Sequence, residues 1–254
     1  MKYLLSSVAV VALALGISST ARAQSEITLL SPDPIKATIE KLLEGFEAKT
    51  GTRVKVTYGT GVSTRKTVAS GQALDVSLLF APFAEALKTG NIVPGSATVI
   101  ARLRLALAVQ KGAPKPDIST PEAVKRTLLN AKSIISVDPT QGSVGGIALL
   151  ALDKLGITDQ VKPKIKWVQN GGLVQDSVAK GETEIALGPY LSDMRNPGLD
   201  IVGALPPGAS TPVDITGFLS TSVKDSKAAK ALLAYLSSHE VAPVYEAAKI
   251  FPAH

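Results

Sequence analysis

The chain has 254 residues, a formal charge of +6, 45% hydrophobic and 4% aromatic residues, two histidines and no cysteine. The lack of cysteine excludes a disulfide framework, lipid attachment through a thiol and a Cys–His nucleophile, and two histidines near the C-terminus leave no zinc cluster. No block of five or six basic residues occurs and stacking rings are scarce, which argues against a nucleic-acid groove and suits small anions.

The first residues read as an export signal. Lys2 supplies a positive start, Leu4 to Ile17 is an apolar run broken only by small residues, and Ala21-Arg22-Ala23 is a small-x-small site. Cleavage is expected after Ala23, with the mature protein in the periplasm. The run is shorter than the roughly 20 apolar residues that span a bilayer. Removing residues 1–23 leaves enough chain for two cores of about 100 residues each.

From there, short apolar strands alternate with amphipathic helical stretches, the pattern of an α/β protein with mixed, mainly parallel sheets under helices. A strand over 27–30 leads to a helix over 35–49 with Ile35, Ile39, Leu42, Leu43 and Phe46 on one face. That helix stops at Thr50-Gly51. A strand over 54–58 runs through Gly59-Thr60-Gly61 into a helix over 63–69. A strand over 76–80, a helix over 83–88 and one long strand over 102–110 follow. Thr120 and Pro121 mark a cap and first position within a helix over 117–131. Then come a strand over 134–138, a glycine-rich turn and a helix over 146–155. A strand over 164–168, a helix over 173–180 and a strand over 185–187 complete the middle. After a Gly/Pro-rich stretch at 203–212, a strand over 215–222 and helices over 227–237 and 241–249 close the chain. The long strand and the return near 212–222 carry the chain between two lobes across a hinge. Lobe one is expected to hold residues 24–103 and 213–254, and lobe two residues 104–212.

Four strand ends turn into helices through small, hydroxyl or glycine residues: Ser31-Pro32-Asp33-Pro34, Gly59 to Thr64, Pro139 to Gly146, and Asn170-Gly171-Gly172. Helix N-termini leave N–H groups unpaired and carry partial positive charge, so several of them facing one crevice bind an anion without a metal or cofactor. Neither a P-loop nor a GxGxxG spacing is present. Arg65 and Lys66 sit in the first turn of a helix, where the dipole disfavours a cation by some 0.3–1 kcal/mol each. An anionic ligand offsets that. Arg65 is therefore the leading charged ligand candidate, with its fork for a carboxylate, and Lys66 a point charge beside it. For a catalytic base the sequence offers only weak candidates, Lys66 with a lowered pKa and Asp138 after its strand.

Ser31 after the first strand, FEAKTG at 46–51, YGTG at 58–61, LDV at 74–76, SVDPTQGSVGG at 136–146 and LDKLGI at 152–157 together resemble the periplasmic molybdate-binding proteins of ABC importers. The resemblance implies the two-lobed type II periplasmic-binding-protein fold, a monomer, and an importer membrane component as partner. It implies serine hydroxyls, backbone amides and a tyrosine as ligands. By position these fall on Ser31, on the Gly59–Ser63 turn with Thr60 or Ser63 serving, and on Gly142 and Ser143. The second family serine falls on Gly61, and the tyrosine near Gly188-Pro189, one step from Tyr190. Asn170 completes the candidate set from the fourth turn. Such cages in the family are neutral, whereas Arg65 and Lys66 suit an organic polycarboxylate, which places molybdate or tungstate last. A branch of the same family resembles cofactor-independent aconitate isomerases, so the alternative to binding is cis/trans-aconitate interconversion by allylic proton transfer.

Overall fold

The computed structural model describes residues 25–191 and 196–254. The export signal and its cleavage site lie outside the described residues. Among the described residues no helix is long and apolar enough to cross a membrane.

The first sheet begins with β1 (Glu26–Pro32), joined through α1 (Lys36–Thr50) to β2 (Arg53–Gly59) and through α2 (Gly61–Ala69) to β3 (Val76–Phe80). These three strands are parallel, with β1 between the other two. α1 buries Ile39, Leu42, Leu43 and Phe46 on one side and ends at Gly51, whose φ of 71° is the left-handed conformation that glycine adopts freely. The short α3 (Ala84–Leu87) precedes β4 (Thr98–Leu103).

The expected single strand over 102–110 is two strands, and the difference defines the molecule. β4 pairs in the first sheet, and β5 (Leu105–Gln110) belongs to a second sheet, with Arg104 alone between them. Apolar alternation runs unbroken through this segment, so periodicity carries no mark of the change of sheet.

The second sheet continues with α4 (Pro121–Asn130), β6 (Ile134–Val137), α5 (Ser143–Lys154), α6 (Thr158–Val161), β7 (Ile165–Val168), α7 (Gly171–Ala179), β8 (Ile185–Pro189) and β9 (Leu199–Ala204). Its strand order is β7-β6-β8-β5-β9. α4 starts at Pro121 and not at 117, because Asp117 accepts from Ser119 N and Oγ in a local turn while Thr120 caps the helix. β9 carries no strand signal in the sequence, since Gly203 and the prolines after it resemble loop.

The chain then returns. β10 (Val213–Leu219) inserts antiparallel between β3 and β4, and α8 (Ser226–Leu236), α9 (Ala242–Ala247) and the two-residue β11 (Phe251–Pro252) finish the first sheet, ordered β11-β4-β10-β3-β1-β2. Each sheet has its own main core. The first is built around Ile39, Phe46, Leu78, Ile215, Leu232 and Tyr245, the second around Leu107, Leu128, Ile134, Leu152 and Leu187. This is the two-lobed α/β architecture, with both sheets mixed in direction.

Candidate functional site

A cavity of about 760 Å³ opens between the two sheets, within the range of small-molecule sites. Its floor is apolar: Phe80 from the first sheet faces Ala106, Leu107, Ala108, Ala186 and Leu187 from β5 and β8. Much of its polar lining comes from helix beginnings.

Besides α1, whose first residue Lys36 lines the same cavity, three helices present their N-termini to this space. Thr60 and Gly61 open α2, Gly142 and Ser143 open α5, and Asn170, Gly171 and Gly172 open α7; all line the cavity. Two of the three are capped from within. Thr60 Oγ1 accepts from Ser63 N at 3.1 Å, and Asn170 Oδ1 from Leu173 N at 3.1 Å. α5 differs, because its cap residue Gly142 has no side chain to offer and no side-chain cap bond forms. Its first amides therefore have no side-chain acceptor of their own.

α5 is held in place by close packing. A side chain at Gly145 would overlap the Val137 carbonyl and the backbone of Asp138 and Pro139. The absence of one lets the helix sit directly on the end of β6. Arg65 then joins the two lobes, its Nη1 donating to Ser143 Oγ at 2.5 Å. Burial lowers the pKa of this guanidinium from its ordinary value, opposed by the charge of Glu85. It stays a cation, as arginine does throughout proteins.

The other candidates from the sequence are spread more widely. Ser31, next to last in its strand, is wholly buried, its Oγ has no hydrogen-bond partner, and it is not among the residues that line the cavity. Ser63 is exposed and its Oγ donates to Thr60 O at 3.0 Å, so it serves the turn and does not reach the cavity wall. Lys66 is exposed, one residue round the helix from Arg65, and lines no part of the cavity. Tyr190 is not on the wall either: its N–H donates to the Arg104 carbonyl at 2.8 Å, and its neighbours Pro189 and Leu191 take the lining positions. Asp138 accepts from Thr140 Oγ1 at 2.6 Å and Thr140 N at 2.7 Å. Those bonds hold its carboxyl below the usual range, which makes it a poor base.

Further residues line the cavity or lie beside those that do. Lys36 lines the cavity from the first turn of α1, with Nζ 5.2 Å from the centre of the Tyr58 ring. A lysine after Ser-Pro-Asp-Pro carries the same signal as Arg65, a cation where the helix dipole disfavours it. Asp33 and Asp176 are the lining carboxylates, and Gln169, Gln175 and Asn196 add amides. Tyr58 has a buried hydroxyl without a partner, and burial, with the charges of Glu40 and Asp33 adding to it, pushes its pKa up to about 12. Among the described residues no group of three His, Cys, Asp or Glu side chains is placed to hold a metal ion.

The profile of a family described as bacterial extracellular solute-binding proteins matches residues 27–248. The chain belongs to that family. This solute-binding protein is 29% identical over 233 residues to an aconitate isomerase of a Pseudomonas species, spanning 89% of this chain and 87% of that one. Its fold is similar to a substrate-binding domain assigned to a molybdenum ABC transporter of Clostridium difficile, with a TM-score of 0.75, 16% identity, and coverage of 91% of this chain and 100% of that one. It is also similar to the periplasmic molybdate-binding protein of Azotobacter vinelandii, with a TM-score of 0.71, 17% identity, and coverage of 90% and 100%. The type II periplasmic-binding-protein fold is therefore that of this chain.

Proposed function

We propose that this solute-binding protein works in the periplasm and closes its two lobes on a small organic polycarboxylate, which it hands to the membrane component of an ABC importer. One observation carries the reading: the Arg65 guanidinium, which is not itself on the cavity wall, meets the uncapped N-terminus of α5 at Ser143, which is. A planar fork of donors beside free helix amides matches a carboxylate, which accepts from both at once. Lys36 supplies a cation on the wall itself and, together with Arg65, suits a ligand with more than one carboxylate. The apolar floor accommodates a carbon skeleton, which a bare metal oxyanion does not need.

The relative named as an aconitate isomerase supports a tricarboxylate in particular and favours a second reading, isomerisation in the same cleft. That chemistry removes a methylene proton next to the double bond and returns a proton to the far allylic carbon, so the double bond moves with no net oxidation and no cofactor. Asp33, Lys36 and Asp176 are the acidic and basic side chains on the described cavity wall that would be tested as its proton carrier.

Thermal melts of the mature protein with citrate, cis-aconitate, trans-aconitate, sulfate, molybdate and tungstate test the binding reading. Tricarboxylates are expected to raise the Tm through RT ln(1 + [L]/Kd). Arg65→Ala should weaken that binding about ten- to a hundredfold, the loss of a charge-assisted contact. A response to molybdate or tungstate with none to any tricarboxylate overturns the reading. Following cis-aconitate by proton NMR then separates the two: appearance of the trans isomer establishes the isomerase, and a stable spectrum leaves binding alone.

A further inference from the structure

The openings of α2 and α5 meet across the cleft because one side chain is missing. Gly61 is the first residue of α2 and Ser143 the first of α5. A Cβ at position 61 would overlap Ser143 Oγ, lie 3.0 Å from Ser143 Cβ and come within 3.2 Å of Phe80 Cδ2. Gly61 is not among the glycines with positive φ, so its backbone is open to any residue. Space favours glycine here: Ser143 Oγ could rotate away from a Cβ, but Ser143 Cβ and the Phe80 ring would both have to give way. One turn further along α2, Arg65 donates to the same Ser143 Oγ at 2.5 Å.

The result is an accumulation of positive potential. Two helix N-termini and a guanidinium surround one neutral hydroxyl. A carboxylate accepts from the guanidinium and from the amides of α5 more strongly than a hydroxyl does, provided that the two helices lie close enough for one group to touch both. The approach distance is thus part of the recognition, and position 61 sets it.

We propose that Gly61 is a specificity-determining residue: lacking a side chain, it lets α2 and α5 approach until a single carboxylate is held by Arg65 and the α5 N-terminus together. This rests on the organic-acid reading of the cleft. Any side chain at 61 acts as a wedge against Ser143 and Phe80 and separates the cation from the helix amides.

The test uses a property of the whole chain, its lack of cysteine. Glu44→Cys in α1 and Lys125→Cys in α4, both exposed, place one spin label on each lobe without interference. In that background Gly61→Ala, Ser143→Gly and the double variant are compared, reading the label-to-label distance without ligand and citrate or trans-aconitate affinity by calorimetry. Gly61→Ala is expected to lengthen the distance and weaken the tricarboxylate by about tenfold or more; in the Ser143→Gly background the same change should alter affinity less than about twofold, because its main obstacle is gone. An equal loss in both backgrounds, or an unchanged distance on Gly61→Ala, overturns the proposal. If the protein with Gly61 binds no tricarboxylate at all, the organic-acid reading falls, and the distances alone then decide whether position 61 sets the approach of the helices.

Discussion

At the scale of single residues, a few buried polar groups are left unsatisfied by their local structure. Tyr58 places a hydroxyl in a buried position without a partner and above its ordinary pKa. A phenol whose pKa is raised on folding contributes stability below its unfolded value of 10.0, and that stability is lost as pH rises towards its folded value of about 12. Tyr58→Phe is expected to flatten the decline of urea stability between those two values and to change little at neutral pH, since no hydrogen bond is removed. A steeper alkaline decline in the variant would contradict this. Arg65 was legible in the sequence for a related reason, a cation in a first turn, and Lys36 carried the same mark. Position 66 carried it too but faces solvent, because one residue along a helix rotates a side chain by about 100° and only a known register separates the two. Ser63 and Asp138 looked like site residues because turn chemistry and ligand chemistry use the same side chains.

At the scale of elements, the turn from β6 into α5 positions the free amides. It depends on contact between backbones at Gly145, where a Cβ would meet atoms that cannot swing aside. Gly145→Ala is expected to lower stability by about 1–3 kcal/mol or more, the range for overpacking, and to weaken ligand binding with it. Gly146, beside it, has open space at the same place, so Gly146→Ala should be close to neutral. Chemical denaturation of the two variants checks the contrast, and equal effects would rule out the packing argument. Most helices and strands were legible from apolar spacing and caps, to within a few residues at their ends. What periodicity did not show was the partner of each strand. The segment over 102–110 looks continuous along its length and divides between two sheets, a fact that resides in pairing.

At the scale of the whole molecule, two cores are joined by Arg104 and by the segment between β9 and β10. The lobes also touch where Leu191 packs into the first core. Trp167, the one tryptophan of the chain, lies in β7 and packs against the second core. Its fluorescence therefore reports one lobe, whereas far-ultraviolet circular dichroism reports both. Without ligand the two signals are expected to change at different urea concentrations, and a ligand that bridges the cleft should bring them together. Coincident transitions in the absence of ligand would mean that the lobes unfold as one unit.

β10 adds a constraint of timing. It fills the place between β3 and β4, yet it is made after every strand of the second sheet. A chain emerging from its N-terminus can complete residues 105–204 as a paired sheet while β3 and β4 still lack the neighbour that joins them. The lobe that begins first is the one that finishes last, and until the final forty or so residues arrive its half-built sheet offers two open edges to any passing strand.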